Sequence, residues 1–368
     1  MVHIVVDAVA VRSGSSAIVI EHLLDGWRAL AVDDRITVLT GEDGPGFPVP
    51  EGVEVQHLST RMPGPAAGLW LRSVAVRRAA ARLGADAVLS GVPASGLVGT
   101  GSPRGIILYD LRHELRPHQF SRGTRVARRV SWWWSMRQAD GIFTISERTL
   151  HDLQARHPRL ATKARAAVLG ADHVDAWPTA ARAEPPYALA FGHFANKNAD
   201  AVVEGWASFC ATDDRWRLRL VGMGSADRAS ATELVRRLGV EDRVQLMPWL
   251  DDEEFQECFA AAGLVVFPSD FEGYGLPAVE AMRLGIPVVV SADEALAEVT
   301  GGHAVTAAST SAADLAAAIM AALELTDEQL AAGREHTDSL AWRRTAQVVR
   351  ESLLAATRSE VVDSLLDS

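Results

Sequence analysis

The chain has 368 residues, of which 48% are hydrophobic and 23% are charged, and its formal net charge is −11. This length and apolar content suit two globular domains, and the acidic balance argues against nucleic acid as the main partner. No apolar run approaches the ~20 residues that a membrane-spanning helix needs, and the N-terminus lacks the pattern of a signal peptide. The two cysteines, Cys210 and Cys258, are isolated in the sequence, which indicates unpaired thiols in a reducing compartment. We therefore expect a cytoplasmic protein.

The first half of the chain, residues 1–170, is expected to form one domain of alternating strands and helices. A strand at His3–Asp7 is followed by a loop of small residues that contains Gly14, and then by helical periodicity over residues 18–27. Strand, small loop and helix in this order open a doubly wound domain. The loop glycine could serve a phosphate contact or an ordinary turn, and both interpretations stay open. Further elements are expected at 36–40, 53–58, 71–83, 87–90 and 106–109.

Polar residues follow the strand expected at 106–109. Asp110 comes directly after it, and His113 lies three residues later. The carboxyl ends of parallel strands form the rim at which α/β sheets bind ligands, so both side chains are candidates for a site. In the alternative interpretation, Asp110 only caps the segment that follows.

The segment 122–137 combines basic and aromatic residues in one expected helix. Peripheral contact with the anionic inner face of a membrane through Arg125–Arg137, or with a lipid-phosphate acceptor, is one interpretation. The other is a core-facing helix whose arginines lie at the surface. Consecutive tryptophans cannot all face a core, so we expect at least one of them to be exposed. The residues concerned are Arg122, Arg125, Arg128, Arg129 and Arg137, with Trp132, Trp133 and Trp134.

A proline-rich stretch without periodicity, residues 171–186, is expected to link this half to a second domain at 187–341. That domain opens with a strand ending near Gly192, followed by Lys197, whose compact ammonium group suits a phosphate. Gly222 lies in a turn after the strand 217–221 and would let a ligand approach. Trp249 follows the strand 243–247 and could either stack on a base or fill the core.

The most informative stretch runs from residue 265 to residue 290 and predicts strand, loop, helix and strand. Its glycine-bearing loop leads into a helix with Pro277 in the first turn, and such an N-terminus offers backbone N–H groups and a positive dipole end to an anion. Glu272 and Glu280 flank this N-terminus with seven residues between them. A carboxylate would repel phosphate, so each is better suited to accept hydrogen bonds from hydroxyl groups. A sugar nucleotide presents both a diphosphate and hydroxyl groups.

This stretch resembles the donor-binding signature of retaining GT-B glycosyltransferases, the E-x7-E family also grouped as glycosyltransferase family 4 or glycosyl transferases group 1. Glu272 and Glu280 match the E-x7-E element, and the run 268–277 matches P-S-x-x-E-G-x-G-L-P. An ordinary βαβ unit with two solvated glutamates is the alternative. The resemblance implies an α/β GT-B fold, with two doubly wound Rossmann-like domains facing across a cleft. It also implies that a last helix, within 342–368, crosses back to the first domain.

The resemblance further implies retaining, metal-independent transfer of a hexosyl group from a nucleotide diphosphate sugar. The acceptor would be a glycan, a lipid-linked molecule or a small molecule, and no cofactor is expected. Lys197 would contact the diphosphate, Glu280 the ribose and Glu272 the sugar, with Asp110 or His113 on the sugar side. The remaining donor contacts would come from Gly14, Gly192, Gly222, Trp249, Gly273, Tyr274, Gly275 and Leu276.

The sequence departs from the family pattern at two places. Tyr109 stands where the family often has the histidine of a His-Asp pair, and no arginine accompanies Lys197, where His193 stands instead. These departures keep two alternatives open. One is an accessory or binding subunit that keeps the fold without turnover, and the other is a sugar-nucleotide epimerase with the same fold.

Overall fold

The computed structural model describes residues 2–12, 14–62 and 64–366. These form two compact units, the first comprising the described part of 1–170 together with 341–366, and the second comprising 171–340. Each unit is built on a parallel sheet with helical connections, which is the expected α/β architecture.

The sheet of the first unit has the strand order β3-β2-β1-β4-β5-β6-β7 and is parallel throughout. The order reverses between β1 and β4, which is the switch point of a doubly wound sheet. The expected strands at His3–Asp7 and Ala87–Ser90 are confirmed, whereas β7 was not predicted. The strands are β1 His3–Asp7, β2 Arg35–Thr40, β3 Glu54–His57, β4 Ala87–Ser90, β5 Arg104–Leu108, β6 Gly141–Thr144 and β7 Ala164–Ala166.

The helices of the first unit connect these strands, and two of them begin at a serine whose side chain caps the first turn. Ser146 accepts a hydrogen bond from the backbone N–H of Thr149 at 3.0 Å, as an N-cap residue does. The element expected at 71–83 begins earlier than predicted, because Pro65 opens a helix that continues through a π-helical turn, Leu71–Ala75. The helices are α1 Ser15–Arg28, α2 Pro65–Trp70, α3 Val76–Leu83, α4 Arg112–Leu115, α5 Arg122–Gln138, α6 Glu147–Arg156 and α7 Pro158–Ala161.

The sheet of the second unit is also parallel throughout, with the order β10-β9-β8-β11-β12-β13. Its switch point lies between β8 and β11. The expected strands at Arg217–Val221 and Val288–Val290 are confirmed, and the short β13 was not predicted. The strands are β8 Tyr187–Phe191, β9 Arg217–Val221, β10 Val244–Leu246, β11 Leu264–Phe267, β12 Val288–Val290 and β13 Val305–Thr306.

The second unit has a hydrophobic core on each face of its sheet. Along β8, Ala188 and Ala190 pack into one cluster, whereas Tyr187, Leu189 and Phe191 pack into the other. Successive side chains of a strand point to opposite faces, so a strand buried on both sides must be apolar throughout. The helices covering this sheet are α8 Ala199–Cys210, α9 Ser225–Leu238, α10 Asp252–Ala260, α11 Leu276–Arg283, α12 Glu294–Thr300, α13 Ala312–Leu323 and α14 Asp327–Thr337.

The stretch expected to be a linker, 171–186, lies within the second unit. Its beginning forms a 3-10 helix, Asp172–Ala176. Arg182 donates from Nη1 to the carbonyl oxygens of Ala260 and Ala262 at 2.9 and 2.7 Å. Val174 is buried and Trp177 packs against the core of the same unit, so a few separate contacts, polar and apolar, hold this stretch without a periodic apolar signal in the sequence.

The last helix, α15 Trp342–Leu366, packs against α1 in the first unit. The contact is close because Gly26 has no Cβ, and one would collide with the backbone carbonyl of Trp342. The helix runs to Leu366, and residues 367–368 lie outside the described chain. Both cysteines are free thiols, as predicted. Among the described residues, no helix is long and apolar enough to cross a bilayer.

Candidate functional site

The candidate site of the second unit lies where the loops after β8 and β11 leave the carboxyl edge of the sheet. This is the switch point, where α/β sheets bind ligands. The two loops are joined by hydrogen bonds: the Ser269 hydroxyl and the Asp270 N–H both donate to the Asn196 carbonyl at 3.0 Å, and Asn198 Nδ2 donates to the Pro268 carbonyl at 2.8 Å. Residues seventy or more positions apart in the sequence are thereby brought together.

Lys197 and Glu272, both predicted site residues, form an ion pair at this junction. Lys197 Nζ lies 2.6 Å from Glu272 Oε1, and Asn196 Nδ2 donates to the same oxygen at 3.1 Å. The ammonium group also lies 4.2 Å from the centroid of the Phe267 ring, a cation–π contact. The side chains of both charged residues are largely buried, so the pair lies in a medium that strengthens its electrostatic interactions.

The short turn that carries Lys197 has an unusual backbone. Lys197 ends a 3-10 helix, Ala195–Lys197, and the residues on either side of that helix, Phe194 and Asn198, have φ angles of 75° and 54°. A positive φ is uncommon for a bulky residue such as Phe and costs ~1–3 kcal/mol. Such strain persists where neighbouring contacts over-determine the backbone, and the hydrogen bonds around Asn196 and Asn198 do so here.

The loop Gly273–Leu276 leads into α11 as the sequence predicted. Gly275 has a φ of 112°, and a Cβ on it would collide with the Leu296 side chain, so glycine is required there on two counts. The N-terminus of α11 therefore presents backbone N–H groups beside the ion pair, as an anion site does. The side chain of Tyr274 is buried, and burial raises its pKa above the ordinary value for tyrosine.

Glu280 is buried on α11 and forms a contact that the sequence did not predict. His173 Nε2 lies 3.0 Å from Glu280 Oε1, and both side chains are almost completely buried. His173 belongs to the stretch expected to be a linker, where nothing in the residue pattern marks it as a site residue.

Three rings lie together on the β9 side of the site, and one of them, the His193 ring, lies against the turn at Gly222. The His193 ring lies 5.0 Å from that of Phe194 and 5.1 Å from that of Trp249. Trp249 is 62% exposed, so it does not fill the core, and Phe194 is equally exposed. Burial, with a contribution from Lys197, lowers the pKa of His193 to about 4, so this ring is neutral at pH 7 and supplies no second cation.

Gly192 and Gly222 allow close packing in the same region. A Cβ on Gly192 would collide with Met223, and Gly222 has a φ of 78° with His193 Nδ1 3.1 Å from the position of a Cβ. Both glycines therefore let the backbones after β8 and β9 approach one another at the carboxyl edge.

The candidate residues of the first unit, Gly14, Asp110 and His113, differ in burial and in the contacts that they make. Gly14 precedes α1 with a φ of 100° and open space around the position of a Cβ. Asp110 is half-buried and accepts a hydrogen bond from the Arg112 N–H at 2.9 Å, just before α4, whose N-cap residue is Leu111. His113 is only 2% exposed and packs edge-on against Trp132, with ring centroids 4.6 Å apart, and burial lowers its pKa.

The first unit also has a cavity of about 710 Å³ that the sequence did not predict. The loops after β1, β2 and β3 and the start of the α2 region form its walls. Arg12, Glu42 and Asp43 supply charge, and Thr60 and Met62 line it further along. A mixed lining of this kind suits a polar organic ligand. Among the described residues, no group of three or more His, Cys, Asp or Glu side chains is placed to hold a metal ion.

Helix α5 exposes apolar side chains among its arginines. Val126 and Val130 are each 63% exposed, and Trp133 is 41% exposed. The prediction that at least one tryptophan is exposed is confirmed, since Trp134 is exposed as well while Trp132 packs inward against His113. The helix is therefore not simply a core-facing helix with arginines at its surface.

Residues 174–337 match the family model for glycosyl transferases group 1. The chain is 33% identical over 170 residues to D-inositol 3-phosphate glycosyltransferase of Geodermatophilus obscurus, an alignment covering 44% of this chain and 37% of that protein. It is 35% identical over 111 residues to mannosylfructose-phosphate synthase of Agrobacterium fabrum, covering 28% of this chain and 24% of that protein. The chain thus spans well under half the length of these relatives.

Proteins of known structure share this fold. The structure of Anabaena HepE in complex with UDP and glucose superposes with a TM-score of 0.73 at 18% identity, covering 96% of this chain and 100% of that one. That likeness confirms the predicted GT-B fold class. Residues 174–337 are therefore similar to glycosyl transferases group 1, within a chain of GT-B fold, and the predicted resemblance to this group is confirmed.

Proposed function

We propose that this protein is a hexosyltransferase of family 4, the E-x7-E family. It would move a hexosyl group from a nucleotide diphosphate sugar to an acceptor hydroxyl, with retention of configuration and without a metal ion or cofactor. The observation that carries the proposal is the Lys197–Glu272 ion pair at the switch point, beside the N-terminus of α11. It places a cation and a hydroxyl-binding carboxylate side by side, which is what a sugar diphosphate requires.

On the donor side, Lys197 and the backbone of Gly273–Leu276 neutralise the diphosphate as it leaves. Stabilising this developing charge is the main electrostatic demand of the reaction. The diphosphate would replace Glu272 as the partner of Lys197, which frees the carboxylate to orient the sugar. Glu280 accepts from the ribose hydroxyls, and the exposed ring of Trp249 is available to stack on the base.

In the reaction, a bond forms between the acceptor oxygen and the anomeric carbon, and the bond from that carbon to the diphosphate oxygen breaks. The acceptor proton passes to the departing phosphate oxygen. Glu272 stabilises positive charge that develops at the sugar. We assign the acceptor-side role to Asp110 rather than His113, because the histidine ring is buried against Trp132.

The acceptor would bind in the cavity of the first unit. Its charged and apolar lining suits a glycan, a glycolipid or a glycosylated small molecule. A role in the synthesis of polysaccharides or other glycoconjugates in the cytoplasm follows from this acceptor class.

The exposed face of α5 would bring the protein to the inner face of a membrane. Val126, Val130 and Trp133 follow one another at i, i+4 and i+7, so they share one face of the helix, and Arg122, Arg129 and Arg137 lie on or beside it. From residue 115 to residue 139 the chain has no acidic residue, although its net charge is −11. Interleaved arginine and apolar side chains on one helix face suit the headgroup region of an anionic bilayer.

Vesicle binding tests this contact. The protein should sediment with vesicles containing anionic phosphatidylglycerol at low salt and be released as salt increases. Trp133→Ser combined with Val130→Ser should abolish sedimentation, whereas Trp70→Ser, on α2 outside the basic segment, should not. Absence of binding to anionic vesicles by the wild-type protein would refute the membrane contact and leave the transferase proposal unaffected.

A thermal-shift screen tests the transferase proposal. UDP, GDP, ADP, dTDP and their common sugar conjugates would be added with and without magnesium. A ligand at ~100 times its dissociation constant stabilises by ~2.7 kcal/mol, which is readily measured. One nucleotide should bind selectively with or without magnesium, and its sugar conjugate should then be consumed when an acceptor is present. A uniform lack of response would refute the proposal.

The neutral His193, where the family has an arginine, favours one second candidate, an accessory subunit that binds donor without turnover. Such a subunit would respond to a nucleotide in the screen and consume no sugar conjugate with any acceptor. Turnover of the donor without any acceptor would indicate an epimerase instead.

A further inference from the structure

Two side chains of the 3-10 helix Asp172–Ala176 contact two side chains that lie one turn apart on α11. His173 Nε2 lies 3.0 Å from Glu280 Oε1. Asp175 Oδ1 accepts a hydrogen bond from Arg283 Nε at 2.8 Å, and a second bond joins Asp175 Oδ2 and Arg283 Nη2. Glu280 and Arg283 are separated by three positions, so they lie on one face of the helix. The 3-10 helix is therefore attached to α11 at two points.

The contact with Glu280 engages only one of its two carboxylate oxygens. Among the described residues, Glu280 Oε1 faces His173, and Oε2 accepts no hydrogen bond. The His173 ring itself packs edge-on against Trp177, with centroids 5.7 Å apart, which restricts its rotation. A restrained donor on one oxygen fixes the plane of the carboxylate and leaves the second oxygen to accept from a ligand.

We propose that His173 is a positioning residue for donor recognition. It holds Glu280 in the orientation that accepts a hydrogen bond from the ribose, and it touches neither the sugar nor the diphosphate. The proposal rests on the proposed function, in which Glu280 binds the ribose, and it adds a residue from outside the E-x7-E signature to that site. A carboxylate held in place loses less side-chain entropy when it binds, so the preference for a ribose depends on His173.

The second attachment supplies a matched control. Asp175 lies two residues after His173, on the same 3-10 helix, and its partner Arg283 is on the same face of α11 as Glu280. Asp175→Asn weakens the attachment of this helix without touching Glu280, and Arg283 keeps its contact with Asp338 at 3.0 Å. If His173 only holds the segment in place, the two substitutions should act alike.

The test compares each ribonucleoside diphosphate with its 2′-deoxy form: UDP, GDP and ADP against 2′-deoxy-UDP, 2′-deoxy-GDP and 2′-deoxy-ADP. Calorimetry on the full chain gives the ratio of the two dissociation constants. We expect the wild-type protein to favour the ribonucleotide of one pair by at least about tenfold, or ~1.4 kcal/mol, because a hydrogen bond to a charged group is stronger than one between neutral groups. His173→Ala should reduce that ratio at least about threefold, His173→Gln should retain most of it, and Asp175→Asn should leave it unchanged.

Two outcomes are distinguishable. If Glu280→Gln lowers the ratio and His173→Ala does not, or if Asp175→Asn lowers it as much as His173→Ala, the positioning role is refuted and the proposed function stands. If no pair binds, or if the wild-type ratio is one or is insensitive to Glu280→Gln, then Glu280 does not bind the ribose. That result would refute both the ribose role of Glu280 in the proposed function and the positioning role of His173. Melting temperatures of all variants show whether each one folds.

Discussion

The two units share a strand order around the switch point and differ in what their loops build there. In the second unit, the loops after β8 and β11 are joined by hydrogen bonds, and they bring Lys197 against Glu272 beside the N-terminus of α11. In the first unit, the Tyr109 hydroxyl donates to the Gly91 carbonyl at 2.8 Å, and His113 is buried. The family model matches only residues 174–337, within the second unit. A shared architecture positions loops, and the chemistry depends on the residues that those loops carry.

The chain's two lysines give the strongest test of this difference. Lys197→Ala should lower kcat/KM at least about a hundredfold, or ~2.7 kcal/mol, because it removes the cation of the diphosphate site. Lys163 in the first unit donates to the Arg137 carbonyl at 2.9 Å, so Lys163→Ala should affect stability and leave turnover nearly unchanged. Steady-state kinetics and melting curves measure both variants. Equal losses of turnover would remove the distinction between the units.

Lowering the pH should change the stability that one buried group in each unit contributes, and in opposite directions. Burial lowers the pKa of His193 to about 4, so between pH 6.5 and pH 4 the unfolded chain binds more protons there, and stability falls as the pH falls. Burial raises the pKa of Asp7 to about 6, so between pH 3.8 and pH 6 the folded chain binds more protons, and stability falls as the pH rises. Each effect reaches about 3 kcal/mol at most, from about 1.36 kcal/mol per pKa unit.

His193→Gln and Asp7→Asn separate these effects. Melting temperatures between pH 4 and pH 7.5 should show that His193→Gln removes part of the loss of stability in acid. Asp7→Asn should stabilise the protein at pH 7 and much less at pH 4. If both variants follow the wild-type curve over this range, neither group titrates with a shifted pKa in the folded protein.

The sequence predicted the parts of the second unit where one local pattern specifies both structure and chemistry. The strand Val288–Val290, the helix after Gly275 and the pair Glu272 and Glu280 all lie in a dense run of glycine, proline and apolar residues. His173 could not be found this way, because its role depends on a contact with a residue more than a hundred positions later. Strands β7 and β13 have three residues or fewer, and unlike the equally short β12, which is an unbroken run of valines, they contain no apolar run that marks a buried strand.

The cavity of the first unit was missed for a similar reason. Its walls come from loops after three strands, and each loop alone shows only glycine, proline and scattered polar residues. A pocket assembled from separate loops leaves no spacing pattern in the sequence. The sheet that positions those loops was predictable, since apolar strands alternate with helical periods along the chain.

Two glycines test whether the loop before α11 requires glycine for its left-handed backbone or for its close contact with a neighbouring side chain. Gly275 and Gly285 flank α11 with φ angles of 112° and 65°, but only at Gly275 would a Cβ collide with a neighbour, Leu296. Gly275→Ala should destabilise the protein by about 2–3 kcal/mol and weaken nucleotide binding, whereas Gly285→Ala should cost only about 1 kcal/mol and leave binding intact. Chemical denaturation and calorimetry measure the two effects. Equal costs would mean that the left-handed backbone, and not the contact with Leu296, requires glycine.

The smallest effect is expected at His113, in the first unit. Its ring is buried, and its two nitrogens form no hydrogen bond with the described residues, although Nε2 lies 3.7 Å from Glu114 Oε1. His113→Leu therefore removes two buried polar atoms and this weak contact while keeping most of the packing. The lost edge contact with Trp132 is worth ~0.5–1.5 kcal/mol, which the removal of the buried nitrogens offsets. Turnover should therefore change less than about threefold, whereas Asp110→Asn, at the half-buried carboxylate, should lower it about tenfold. A large fall in kcat for His113→Leu at unchanged melting temperature would place the histidine at the reacting atoms, and the first unit would then contribute to the chemistry as directly as the second.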